Sequence, residues 1–218
     1  MPIPGTPPLI TVFGGGGFIG RYVCEALLQS GARLRVAERD PRRAWFLQPL
    51  GSVGQVSAIA ADLARPTSIE RAVDGANAVI NLVGIFKGDL DCIHVEGART
   101  AASAAAATGA ASFVQVSAIG ADPASASDYG RTKGLGEQAV RAAFPTATII
   151  RPSVVFGAED QFTNRFASMA RLPLLPVIAP ATRFQPVFVR DLARRSPPPR
   201  SIQRAMAATP TNSPDPTR

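Results

Sequence analysis

Leu9-Ile10-Thr11-Val12-Phe13-Gly14-Gly15-Gly16-Gly17-Phe18-Ile19-Gly20 is the stretch that decides the fold. Its first five residues are apolar and partly β-branched, the pattern of a strand buried on both faces. Over residues 18–30, Ile19, Tyr22, Val23, Ala26 and Leu27 recur at helical spacing, and Gly31 stands where a glycine stops a helix. Between strand and helix, Gly14, Gly17 and Gly20 make a G-x-x-G-x-x-G turn. In such a turn the first glycine allows the reversal, the second lets backbone N–H groups reach a pyrophosphate, and the third lets helix and strand pack closely. The helix N-terminus adds partial positive charge at the same point, so the expected ligand is a dinucleotide.

The alternation continues outward. Residues 34–37, 55–60, 78–83, 112–117 and 147–151 read as strands, and residues 67–73, 91–108 and 128–143 as helices. Strands separated by helices build parallel βαβ units, which predicts an α/β fold: a doubly wound, Rossmann-type parallel sheet with helices on both faces. The domain boundaries expected are an N-terminal extension over 1–8, a nucleotide-binding domain over 9–191, and a Pro- and Arg-rich disordered tail over 192–218. The alanine run from Ala101 to Ala107 reads as a helix face small enough to lie close on the sheet.

Composition narrows the function classes. With 46% hydrophobic and 18% charged residues the chain can bury one sizeable core. No apolar run approaches the roughly 18 residues of a membrane span, and the start lacks a signal peptide's basic and apolar regions, so the expectation is a soluble, cytoplasmic protein with no transmembrane segment. The net charge of +7 sits largely at the end, where six arginines from Arg190 onward face only Asp191 and Asp215. No basic patch on a folded face follows, and nucleic acid is not an expected partner. Cys24 and Cys92 have no CxxC spacing and read as buried reduced thiols. His94, the only histidine, has no companion ligands and reads as structural; no metal site is expected.

Candidate nucleotide contacts lie after successive strands. Glu38 and Arg39 end the second strand, with Arg42 and Arg43 close behind. A carboxylate there bonds the ribose hydroxyls of NAD(H), whereas an arginine accepts the 2′-phosphate of NADP(H). Three arginines near one acid favour NADP(H), with a solvated surface pair as the other reading of Arg42 and Arg43. Asp62 and Leu63 follow the third strand beside the expected adenine, although Asp62 serves equally well as a cap. Leu82, Val83 and Gly84 end the fourth strand beside the ribose, and Ser117 ends the fifth. Tyr129 and Lys133 stand four residues apart on one helical face. In a pair of this kind the ammonium lowers the phenol pKa, so that the tyrosine passes a proton while hydride moves at the nicotinamide.

Together VFGGGGFIGRYV, NLVGIF, HVEGAR, VSAIGAD, YGRTKGLGE, RPSVVFGAED, NRFASMA and FQPVFVRD resemble the atypical short-chain dehydrogenases of the NAD-dependent epimerase/dehydratase kind, most of all the accessory subunit of respiratory complex I. The likeness runs from about Leu9 to Asp191. It implies a bound NADPH that is not turned over, in an accessory or assembly subunit docked on NADH:ubiquinone oxidoreductase, peripheral at the inner face of the cytoplasmic membrane through its partners. It also implies nucleotide contacts at Gly14, Gly17, Phe18, Ile19, Gly20, Arg39, Asp62, Leu63, Tyr129 and Lys133, with Pro152 and Ser153 lining the nicotinamide end. The competing function is an NADP(H)-dependent oxidoreductase or epimerase acting on a sugar nucleotide or quinone precursor. In active extended members a Ser or Thr at the end of strand five completes the triad, and the matching position here is Ala118. Ser117 is one residue early, and a shift of one on a strand points the side chain to the other face.

The resemblance further implies roughly another hundred residues after Asp191, completing the cover of the sheet and adding a substrate-side lobe. Here that lobe reads as truncated. Ala208 to Asp215, back-translated with GC-rich codons and read one frame over, gives a Tyr-Glu-Leu-Ala-Gly-Pro string close to the family's Tyr-Glu-Leu-Gly-Gly-Pro. A reading-frame change near Ala193 is therefore expected, a naturally disordered tail being the alternative. Resequencing the gene and its downstream region tests this: a single open frame ending at Arg218, with no family-like continuation in another frame, refutes it.

Overall fold

The computed structural model describes residues 7–169 and 184–195. Strands β1 (Leu9–Phe13), β2 (Arg33–Glu38), β3 (Val56–Ala60), β4 (Ala78–Asn81), β5 (Ser112–Val116) and β6 (Thr148–Ile150) form a six-stranded sheet in the order β3-β2-β1-β4-β5-β6. All pairings are parallel, with Val12 level with Val36 on one side and Ile80 on the other. This is the doubly wound Rossmann order, and the direction of winding reverses between β1 and β4.

Both faces are covered because the strand residues alternate between two cores. Ile10, Val12, Leu34, Val36 and Ile80 pack with Val23 and Leu27 of helix α1 (Phe18–Gln29). Phe13, Val79 and Phe113 point the other way, to Ile69 and Val73 of α2 (Pro66–Val73), the alanines of α3 (Ala98–Ala107) and Val140 of α4 (Asp128–Ala143). Thr11 faces the second core too, and its buried hydroxyl donates to the Ala72 carbonyl at 2.7 Å. Ala101, Ala102 and Ala105 are fully buried, so the alanine-rich run is a packing surface. A larger side chain there would hold the helix off the sheet.

The fourth and fifth strands end earlier than their apolar runs. The Asn81 side-chain oxygen takes the Val83 N–H at 3.1 Å, and its amide donates to Gln115 Oε1 at 2.9 Å, which turns the chain out of the sheet after Asn81. β5 stops at Val116, although the Ser117 N–H still reaches the Ile150 carbonyl. The helix expected over 91–108 begins as a π-helical segment, Cys92–Gly97, before α3. Several elements had no periodic signal: a 3-10 segment over Pro41–Leu50, a two-stranded parallel sheet of β7 (Val155–Phe156) and β8 (Val187–Phe188), and α5 (Phe162–Met169).

Helix α6 (Val189–Arg195) runs past the Asp191 boundary drawn from the sequence. Leu192 and Ala193 are buried, and Ala193 belongs to the core beneath α1. The tail and reading-frame expectation over 196–218 lies outside the described residues. Among the described residues no helix is long and apolar enough to cross a membrane.

Ile80 is fully buried at the centre of the sheet. Ile80→Ala is expected to cost about 2–5 kcal/mol of stability through lost burial and the cavity left behind. A urea unfolding curve with an unshifted midpoint would contradict that placement of the core.

Candidate functional site

The turn after β1 is built around two glycines. Gly14 adopts φ 78, a left-handed conformation, and its N–H bonds the Ala37 carbonyl at 3.2 Å while its own carbonyl accepts from the Gly17 N–H at 3.1 Å. A β-carbon on Gly20 would lie 2.3 Å from the Gly14 carbonyl oxygen, so only glycine lets α1 settle this close to β1. Gly20 thus serves packing and does not line the adjoining cavity. A β-carbon on Gly17 would meet only the Gly14 oxygen, at 3.2 Å, and would otherwise enter open space. No side chain caps α1 and its first turn holds no acid, which leaves its N-terminal amides directed at that space.

A cavity of about 500 Å³ opens there, at the carboxyl ends of the strands and on the crossover between β1 and β4. It is lined by Gly14, Gly17, Glu38, Arg39, Asp62, Leu63, Leu82, Val83 and Gly84, all named from the sequence. Arg43, counted in the sequence among the arginines after the second strand, lines it too, as does Cys92, read there only as a thiol; the sequence does not single out Lys87 and Asp89, which lie on a loop without periodic signal. Glu38 does something unforeseen: its Oε1 accepts the Gly16 N–H at 2.7 Å and ties the turn to β2. Asp62 Oδ1 takes the Ala64 N–H at 3.0 Å, a bond within the loop and not a cap, since α2 starts after Arg65 with no side-chain cap; the residue also faces the cavity. Arg42 pairs with Asp40 on the surface, leaving Arg39 and Arg43 as the arginines of the cavity wall. Phe18 and Ile19 send their side chains against the first core, so only their backbone amides face the turn.

Farther along the carboxyl edge, Lys133 is buried and its ammonium donates to the Val83 and Val116 carbonyls at 3.4 and 3.2 Å, bridging the ends of β4 and β5. Burial lowers its pKa to about 8, against the opposing pull of Glu137 one turn on. Tyr129 stacks on Phe86, with centroids 4.7 Å apart, and meets His94 edge-on. Burial raises its phenol pKa, the reverse of the lysine-driven lowering expected from the sequence. The physical reason is that the Lys133 ammonium is held by strand carbonyls, and desolvation acts on the phenol alone.

His94 is structural. Its Nε2 accepts the Ile85 N–H at 3.0 Å, so the proton sits on Nδ1 and is donated to Thr132 Oγ1 at 2.9 Å, which in turn donates to the Asp128 carbonyl. Burial, with Lys133 nearby, lowers its pKa to about 4. Ser117 Oγ is buried and has no hydrogen-bond partner among the described residues. Pro152, whose carbonyl accepts the Ile119 N–H at 3.0 Å, and Ser153 are half-buried beyond β6; neither they nor Ser117, Tyr129 and Lys133 line the cavity itself. Cys24 is buried with its thiol pushed up to about 12, whereas Cys92 is half-buried on the cavity wall.

These residues fit an extended diphosphate. There is an open cradle in front of Gly17, an uncapped helix N-terminus behind it, and arginines where the second strand ends. Comparison with known proteins agrees. The chain matches a family model described as NAD(P)H-binding over residues 14–168. It is 36% identical to Ceramide reductase of Caulobacter vibrioides over 193 residues, 86% of this chain and 59% of that protein. It is 37% identical to NADH dehydrogenase (ubiquinone) 1 alpha subcomplex subunit 9, mitochondrial, of Mus musculus, over 84% of this chain and 51% of that protein. The chain therefore spans between half and three-fifths of the length of these relatives. Among solved structures, Pen from Bacillus thuringiensis superposes with a TM-score of 0.76 at 16% identity, covering 89% of this chain and 66% of that one, a likeness of fold. The chain belongs to the NAD(P)H-binding family.

The His94 network sets a pH dependence. Its folded pKa of about 4 lies below the ordinary 6.5, so between these values the unfolded chain binds a proton that the folded one does not. Stability is therefore expected to fall as pH drops through that window. His94→Gln should show a shallower fall over the same range in urea titrations, and parallel slopes for the two proteins would refute the neutral buried histidine.

Proposed function

We propose that this member of the NAD(P)H-binding family holds NADP(H) along the carboxyl edge of β2, β1 and β4 and acts as an accessory or assembly subunit of an NADH:ubiquinone oxidoreductase, without turnover of its own. The observation that carries the reading is the state of the would-be proton donor: Tyr129 lies against Phe86 with its phenol pKa raised, and Lys133 holds two strand carbonyls. Ala118 occupies the position where active relatives of this class place a hydroxyl. Losing general acid–base assistance costs roughly 10²–10⁴ in rate, which suits a nucleotide kept for structure. The dinucleotide, when bound, would supply a transferable hydride; this chain's part is to hold it. Gly14 and Gly17 leave room for the diphosphate, the amides of Phe18, Ile19 and Gly20 point at it, and Arg39 with Arg43 favours a 2′-phosphate over a bare ribose. The similarity to the mouse NADH dehydrogenase (ubiquinone) subunit supports the subunit role, and the proposal includes a position at the inner face of the cytoplasmic membrane, held there by protein partners.

A second reading, an NADP(H)-dependent reductase, draws support from the comparable identity to Ceramide reductase. Denaturing the purified protein and identifying the released nucleotide by mass spectrometry tests the binding. NADPH is expected, NADH would shift the weight from Arg39 to Glu38, and the absence of both from protein offered each of them would overturn the binding reading. For turnover, Tyr129→Phe is expected to leave cofactor affinity nearly unchanged with no NADPH oxidation to lose. Carbonyl-dependent NADPH oxidation that Tyr129→Phe stops would establish the reductase.

A further inference from the structure

The charges around the cavity are sorted. Three acids and three cations line it: Glu38, Asp62 and Asp89 against Arg39, Arg43 and Lys87. Each acid has an oxygen engaged by a backbone amide, from Gly16 at 2.7 Å, Ala64 at 3.0 Å and Cys92 at 2.9 Å. Among the described residues, none of the three cations enters an ion pair. Unpaired cations beside acids that each have one oxygen tied to a backbone amide leave free donors at the cavity, a setting that favours phosphate oxygens.

Lys87 is the unassigned member, and it is held in place by its neighbours. Two residues before it the Ile85 N–H is fixed on His94 Nε2 at 3.0 Å, and one residue before it Phe86 is stacked on Tyr129. Two residues after it Asp89 is fixed on the first amide of the π-helical segment. Its backbone thus lines the cavity on a short arc pinned at both ends, on the far side of β1 from Arg39 and Arg43. We infer that Lys87 is a phosphate-binding residue, a preorganised cation that closes on the bound dinucleotide from the β4 side opposite Arg39 and Arg43. The inference rests on the dinucleotide reading and extends it to a loop that the glycine motif does not include. It also accounts for the Phe86–Tyr129 stack, whose rings position the lysine and do not carry a proton.

Titration calorimetry of the full chain with NADPH, NADH and 2′,5′-ADP, at low and raised salt, tests this for the native protein, Lys87→Ala and Lys87→Arg. Lys87→Ala is expected to weaken NADPH roughly tenfold, the scale of one charge-assisted hydrogen bond, and to flatten the salt dependence. Lys87→Arg should retain most of the affinity. Equal losses for NADPH and NADH would assign the lysine to the pyrophosphate, and a loss confined to NADPH and 2′,5′-ADP would assign it to the 2′-phosphate. Phe86→Ala, which frees the arc without removing charge, should lose part of the same affinity. Unchanged affinity for all three ligands in Lys87→Ala, with Arg39→Ala weakened, would overturn the role of Lys87 and leave the dinucleotide reading standing. A native protein that binds none of the three would overturn that reading itself.

Discussion

The close approach of α1 to β1 is the constraint on which the rest depends. With Gly14 in a left-handed conformation and no β-carbon on Gly20, the helix begins almost on top of the strand end. That contact directs the helix N-terminus at the crossover between β1 and β4, where the sheet's winding reverses and a crevice must open. It also brings the Gly16 amide within reach of Glu38, so the turn is fixed to β2 as well as to β1. Packing and binding geometry are here one arrangement, because the space denied to a side chain at Gly20 is what creates the open space in front of Gly17.

The carboxyl ends of β4 and β5 are held by a second, polar device. Lys133 bridges the two strand ends, His94 fixes the following loop, and Thr132 joins His94 to α4. Gly136 lets α4 come this near, since a β-carbon there would lie 2.1 Å from the His94 carbonyl oxygen. Residues that read as proton chemistry in one dimension also serve, in three, to tie strand ends, loop and helix together. Burying an ammonium is costly, and here the Val83 and Val116 carbonyls that accept from it offset the cost.

The sequence made the sheet legible because a parallel sheet covered on both faces leaves short apolar runs bounded by glycine, and helices between them leave a periodic stripe. β1, α2 and α4 follow their patterns to within a residue. Elements without a stripe were not legible. The 3-10 segment over Pro41–Leu50 starts from Asp40 accepting the Arg42 N–H, and α5 buries none of its side chains. Residue positions in the site were readable from strand ends, but roles were not. Glu38 reads as a ribose ligand, and its further bond to Gly16 is not foreseen, while the phenol of Tyr129 reads as activated until the lysine's partners are known. Both depend on which oxygen or nitrogen a side chain meets, a long-range fact that spacing does not encode.

Binding a dinucleotide and turning it over make opposite demands on this edge of the sheet. Turnover needs a phenol whose proton is labile near neutral pH and a hydroxyl beside it. Durable binding needs rigid walls, few competing charges and loops that do not open. Of the polar groups nearest the expected nicotinamide end, Lys133 is committed to carbonyls and His94 to an amide and a hydroxyl, Tyr129 lays its ring on Phe86, and Ser117 Oγ has no hydrogen-bond partner among the described residues. Arg39, Arg43 and Lys87, which enter no ion pair among the described residues, lie around the cavity where the phosphates would sit. Free cations placed for phosphates, with the lysine nearest the hydride committed to strand carbonyls, describe a site organised for retention, which is the physical basis for the proposed accessory role over the reductase one.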